Sequence, residues 1–166
     1  MRSSNSWWAS RARQFRTHLR ATVTPAERVG LVPWTTPAQL SLFDSMHVAD
    51  RRHGLDVVAS LRSDGVGDAD ALLAGLLHDA AKGDTGVWPR VAYTLGTHYG
   101  TWVWRVAGVL PGYGATLERL RTHAEASAAM AADAGCAPRT VELIRYQEEP
   151  RDPEFGELLR LADEAN

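Results

Sequence analysis

The chain has one cysteine, Cys136, among 166 residues. It can close no internal disulfide and supply no CxxC zinc site, which points to a reducing compartment. No run of 18 apolar residues is present, so no transmembrane segment is expected. The most apolar long stretch, 87–110, is interrupted by Arg90, His98, Gly100 and Arg105. No apolar core precedes a small-residue cleavage site near the start, which speaks against a secretory signal and for a cytoplasmic protein. A charge excess is also missing. Eighteen Lys+Arg face twenty Asp+Glu, a net −2, where a dedicated nucleic-acid binder shows a basic surplus. Strand patterning, internal repeats and low-complexity tracts are absent.

What remains is a chain with 45% hydrophobic and 23% charged residues, enough for one globular core without disulfides or a structural metal. Helical spacing dominates. Thr24-Pro25-Ala26-Glu27 reads as an N-cap, a proline in the first turn and an early acid, and Thr36-Pro37 repeats that start for a helix through Phe43. Residues 48–62 place Leu55, Val58 and Leu61 at helical spacing, and 64–68 form a turn with a C-cap glycine. Asp68 then caps a helix with a stripe of Leu72, Leu73, Leu76 and Leu77, expected to end near Lys82-Gly83-Asp84. Helices follow at about 87–98 and 101–109, then a long one at about 115–134 stopped by Gly135. Two more run from Pro138 to about Glu148 and from Glu154 to the end, around a turn bracketed by Pro150 and Pro153. The expected class is all-α, a compact bundle with short connections.

Six histidines are present: His18, His47, His53, His78, His98 and His123. Asp79 follows His78 directly, at the end of the leucine stripe. Such a pair offers nitrogen and carboxylate to one divalent ion. Neighbours about 100° apart on a helix reach one ion only at a helix end or in a cleft, and a packed histidine beside a capping aspartate is the other reading. The run Ala71-Leu72-Leu73-Ala74-Gly75-Leu76-Leu77-His78-Asp79-Ala80-Ala81-Lys82-Gly83 resembles the central signature of the HD domain family of metal-dependent phosphohydrolases. Asp50-Arg51-Arg52-His53-Gly54-Leu55-Asp56-Val57 looks like the first histidine of that family, and Leu161-Ala162-Asp163 like its final aspartate. Arg121-Thr122-His123-Ala124-Glu125-Ala126-Ser127 resembles a further histidine that some members use for a second metal or for substrate. The likeness spans residues 47–166.

The resemblance implies a compact HD-type helical bundle with one divalent metal held by His53, His78, Asp79 and Asp163. It implies hydrolysis of a phosphate ester or anhydride of a small molecule, a nucleotide being the plausible class, by metal-activated water. The mixed ligand set suits Mn, Fe, Ni, Co, Zn or Mg. His123 and Lys82 take the catalytic roles, contacting phosphate or shuttling protons. Arg51 and Arg52 either serve phosphate from the other wall or pair with surface carboxylates. Dinuclear members carry another histidine in the stretch that here reads Leu143-Ile144-Arg145-Tyr146-Gln147-Glu148. Tyr146 and Gln147 replace imidazole poorly, which favours one metal, with Glu125 or Glu148 as substitute carboxylates. A catalytically decayed HD domain, acting as a nucleotide-sensing or protein-interaction module, is the alternative.

Residue by residue, blander readings stand beside these. His53 alone reads as a surface histidine, Asp163 as a solvated acid near a fraying end, and His123 as exposed beside Arg119 and Arg121. His47 falls before the helix and is not taken as a ligand, and His18 and His98 lack a partner. Trp102 and Trp104, two apart, face different directions, and Trp88 either packs or walls a cleft. The expected division is an N-terminal helical extension over 1–45 packing on a metal-binding helical domain over 46–166. The first twenty residues carry Arg2, Arg11, Arg13, Arg16 and Arg20 with Trp7, Trp8 and Phe15. This stretch packs on the bundle or across a homodimer, or touches an anionic membrane surface or nucleic acid. Packing is favoured because six tryptophans need burial.

Overall fold

A computed structural model describes residues 21–83, Trp102 and 113–166, excepting the side chains of 113–117, 119 and 120. The basic aromatic stretch 1–20, the helices expected at 87–98 and 101–109, His18, His98, Trp88 and Trp104 lie outside the described residues. The class is all-α, with seven α-helices among the described residues: α1 (Pro25–Val29), α2 (Pro37–Ser45), α3 (Val48–Ser63), α4 (Ala69–Leu77), α5 (Tyr113–Asp133), α6 (Pro138–Arg145) and α7 (Gly156–Ala165). A 3₁₀ turn at Val32–Trp34 joins α1 to α2. Among the described residues no helix is long and apolar enough to cross a membrane.

Local chemistry starts the first two helices as the sequence suggests. Glu27 N–H donates to Thr24 Oγ1 at 3.2 Å while Thr24 N–H donates to Glu27 Oε2 at 2.8 Å. Thr36 and Gln39 exchange the same reciprocal pair, so each entry satisfies two donors that a helix start leaves open. Asp68 caps α4 by accepting from Ala71 N–H at 3.0 Å. Gly65 and Gly135 stop α3 and α5 with φ of 85° and 74°, backbone that other residues adopt only at a steric cost.

Helix α4 is the hub. Every residue from Ala71 to Leu77 is buried, the mark of a helix covered on all sides. It packs against α3, α6, α7 and α2. Gly54 and Gly75 make its approach to α3 possible. A methyl group at Gly54 would lie 2.5 Å from the Leu76 carbonyl oxygen, and one at Gly75 would meet Leu61 and Val57 side chains at 2.9 and 3.1 Å. Phe43, Val57, Leu61, Leu76, Leu77, Ile144 and Leu159 fill the single core around that contact. Leu31, Leu42, Phe43 and Met46 belong to the same cluster, so the described part of the N-terminal region is built into the core. Arg28–Asp44 and Arg52–Glu27 ion pairs tie it down further.

Three helix ends differ from the sequence reading. The leucine-striped helix stops at Leu77, ahead of the expected Lys82-Gly83-Asp84. There the His78 Nδ1–H turns back to the Gly75 carbonyl at 3.0 Å, and Ala81 N–H leaves the helix pattern to donate to Ser127 Oγ on α5 at 3.0 Å. Helix α6 ends at Arg145, where Tyr146 leaves helical geometry, and not at Glu148. Helix α7 begins at Gly156, because Asp152 Oδ1 takes the Glu154 and Phe155 N–H groups into a turn. Its C-terminal end is tied to the core: Leu159 and Ala162 are buried, and Asn166 Nδ2 donates to Ser60 Oγ at 2.8 Å.

Two outcomes follow. Gly54→Ala gains about 1 kcal/mol of helix propensity but forces α3 and α4 apart. A net loss of about 1–2 kcal/mol is expected in urea unfolding. Hydrogen bonds from Arg52 and Thr24 hold the Glu27 carboxyl down at about 2, from 4.5. Because the folded-state pKa is lowered, this contribution is complete above pH 4.5 and disappears as pH falls through 4.5 towards about 2. Glu27→Gln therefore loses less stability than the parent over that interval, read from urea midpoints along an acid series.

Candidate metal centre

Four elements deliver side chains to one place. His53 sits on α3 beside Gly54, so the close approach at Leu76 brings its ring against His78, with centroids 5.1 Å apart. His78 and Asp79 occupy the turn after α4. Asp163 comes from the last turns of α7 and His123 from α5. His53 Nε2 lies 2.7 Å from Asp163 Oδ1, and His78 Nε2 lies 3.4 Å from the same oxygen. The three residues His53, His78 and Asp163 each offer one ligand atom within 4.8 Å of the others. Asp79 stands beside them, Oδ1 at 3.5 Å from His78 Nε2 and Oδ2 at 3.9 Å from His53 Nε2.

The electrostatics of this cluster call for positive charge. Asp79 is 2% exposed. Burial opposes its charge, yet His78, then Lys82, His53 and His123, hold its carboxyl well below the usual carboxylate range. Burial likewise works against a charged His78 imidazole. The carboxylates of Asp79 and Asp163 outweigh it and push the group up to about 9. Lys82 is raised for the same reason, burial being overcome by Asp79 and Asp163, and its Nζ reaches Asp79 Oδ2 at 2.5 Å. At Asp163 burial is outweighed by the hydrogen bond from His53 and by the charge of His78 close by, so its carboxyl is also held well below the usual range.

The donor set suits a divalent ion. His78 donates from Nδ1 to the Gly75 carbonyl, the kind of outer bond that fixes a metal-binding histidine's ring and leaves Nε2 facing the ion. His78 Nε2 and Asp79 Oδ1 are both buried with no hydrogen bond, and buried polar atoms ordinarily find a partner. Two imidazole nitrogens with carboxylate oxygens form a borderline set that suits several first-row metals.

The sequence candidates have distinct placements. His53, His78, Asp79 and Asp163 come together. His123 is buried and its Nε2 lies 3.6 Å from Asp79 Oδ1. Lys82 bonds Asp79 rather than standing apart as a mobile cation. Arg52 is taken by Glu27 and by Asp56, the latter at 2.8 Å, which is the surface-pairing reading. Arg51 Nε is buried without a hydrogen bond. Glu125 is exposed and paired with Arg145 at 3.1 Å, and Glu148 is exposed, so their side chains supply no substitute carboxylate. His47 caps α3, its Nδ1 accepting from Ala49 N–H at 3.3 Å. Tyr146 lies under the Arg151 guanidinium, 3.7 Å from the ring centroid, whereas Gln147 is buried against His123. Trp102 is 61% exposed. Sequence reasoning missed Gly54, Gly75 and Ser127 as supports of the site. The small residues next to His53 and before His78 were the available signal for the first two.

No protein-family model, no curated protein and no solved structure matches this chain.

Lys82→Met leaves the buried Asp79 with one cation fewer. A loss of about 3 kcal/mol in metal-free protein is expected, measured by urea unfolding against the parent.

Proposed function

We propose that this protein is a metal-dependent phosphohydrolase of the HD type, acting on a phosphate ester or anhydride of a small molecule, a nucleotide being the plausible class. The observation that carries the reading is the His53–His78–Asp163 group, buried at His78 and half-buried at His53 and Asp163, with the buried Asp79 beside it, in which His78 Nε2 and Asp79 Oδ1 have no hydrogen bond. His53, His78, Asp79 and Asp163 would hold one divalent ion. When bound, such an ion lowers the pKa of a coordinated water and neutralises charge on phosphoryl oxygens.

The chain's own residues would do the rest. Asp79 and Asp163 supply the negative charge that retains the cation. The Gly75 carbonyl keeps the His78 ring in one orientation. Lys82, held by Asp79 and 24% exposed at its side chain, stands at the edge of the cluster with donors to spare for a phosphate oxygen. His123, buried behind Asp79, faces the same space.

A second reading rests on Lys82. Its ammonium, 2.5 Å from Asp79 Oδ2, already neutralises one carboxylate of the cluster. A chain using that lysine as a built-in cation would bind ligands or partners without turnover, as a decayed HD domain.

The test is metal content of the full chain purified without chelator, alongside His78→Ala and Asp79→Ala. About one transition metal per chain, lost in both variants, is expected, with phosphate release from a nucleotide panel that disappears in parallel. No binding even with excess Mn, Ni or Fe overturns the enzyme reading in favour of the decayed module.

A further inference from the structure

Gln147 lies in the stretch that the sequence reading set beside the site, and the structure shows which atoms it touches. It lies just past the Tyr146 C-cap of α6, is 7% exposed, and reaches two elements of the site with one nitrogen. Nε2 donates to the His78 main-chain carbonyl over a long 3.5 Å and lies 3.2 Å from His123 Nε2. A main-chain carbonyl only accepts, so the amide nitrogen, and not the amide oxygen, belongs on that side. A primary amide nitrogen only donates. His123 Nε2 must then be the acceptor, which puts the imidazole proton of neutral His123 on Nδ1.

The consequence falls on Asp79. Its Oδ1 is buried without a hydrogen bond, 3.6 Å from His123 Nε2. The other tautomer of His123 would carry a proton on Nε2, and a small ring movement would let that N–H donate a hydrogen bond to the oxygen. Asp79 would then be engaged by a neutral donor, and its lone pairs would be withdrawn from any cation.

We infer that Gln147 is a positioning residue that holds His123 in the Nδ1–H form and so keeps Asp79 Oδ1 open to a cation. The metal consequence rests on the proposed function, whereas the tautomer does not. Gln147 Oε1, buried with no hydrogen bond, fits a residue kept for orientation, since an unmet buried acceptor costs about 1–3 kcal/mol.

Long-range proton–nitrogen NMR of the metal-free full chain, at alkaline pH where free imidazole is neutral, reads which nitrogen of His123 carries the proton. The expected result is a protonated Nδ1 and a bare Nε2. A proton on Nε2 in the parent overturns the inference, and this measurement needs no variant. Gln147→Glu replaces the donor with an acceptor of the same shape and is expected to move the proton to Nε2. An unmoved proton in that variant also overturns it. Gln147→Met, which can neither donate nor accept strongly, is expected to weaken Mn or Ni binding by about 10- to 100-fold, the range seen when an outer-shell partner of a metal ligand is lost. Unchanged affinity in Gln147→Met overturns the link to Asp79. A parent chain that binds no metal defeats the proposed function alone, and the tautomer still decides the inference.

Discussion

Helices α3 and α4 touch backbone to backbone at Gly54, and the other distances in the centre depend on that contact. A methyl group at this position would lie 2.5 Å from the Leu76 carbonyl oxygen, so any other side chain holds the helices further apart. His53 precedes Gly54 and His78 follows Leu77. The same approach that closes the core therefore brings the two imidazoles to 5.1 Å. Asp163 reaches them because α7 packs on both helices through Leu159 and Ala162. A residue near a chain end is ordinarily loose. Here burial of one face and the Asn166–Ser60 hydrogen bond keep it in register with residues more than a hundred positions away.

The centre holds its charge at the edge of the hydrophobic core, directly after the buried run of α4. Asp79 follows a helix whose residues Ala71–Leu77 are all buried, and an isolated carboxylate there would be expensive. The surrounding groups answer this with positive charge. Lys82 and His78 face Asp79 as cations, and the turn that carries it is anchored by Ser127. The result is a cluster with an appetite for cations at the edge of an apolar core, bounded on one side by the Gln147 amide. Catalysis and simple binding both draw on that appetite, which is why the ion itself is the quantity that separates the two readings.

The periphery follows simpler rules. Thr24 with Glu27 and Thr36 with Gln39 each close a capping box. Arg139 is shared between Asp152 and Glu154 while stacking over Phe155. These contacts aim helices that carry no ligand themselves. They matter to the centre because α2 and α6 pack on α4 and limit how its C-terminal end can move.

The sequence by itself determined the class and most helix starts, because caps and apolar spacing act within a few residues. Thr24, Thr36 and Asp68 announced three starts, and the leucines from Leu72 to Leu77 announced the central helix. It also singled out His53, His78, Asp79 and Asp163, through the pattern of their neighbours. Only the tertiary structure decided where the central helix stops, since Ala81 leaves it for a hydroxyl on α5 that lies 46 residues further along the chain. Only the fold could reveal that Arg52 belongs to Glu27, that Glu125 points to solvent, and that Gln147 sits behind His123. Those are contacts between segments far apart in sequence. Their partners are chosen by helix packing, which no local pattern encodes.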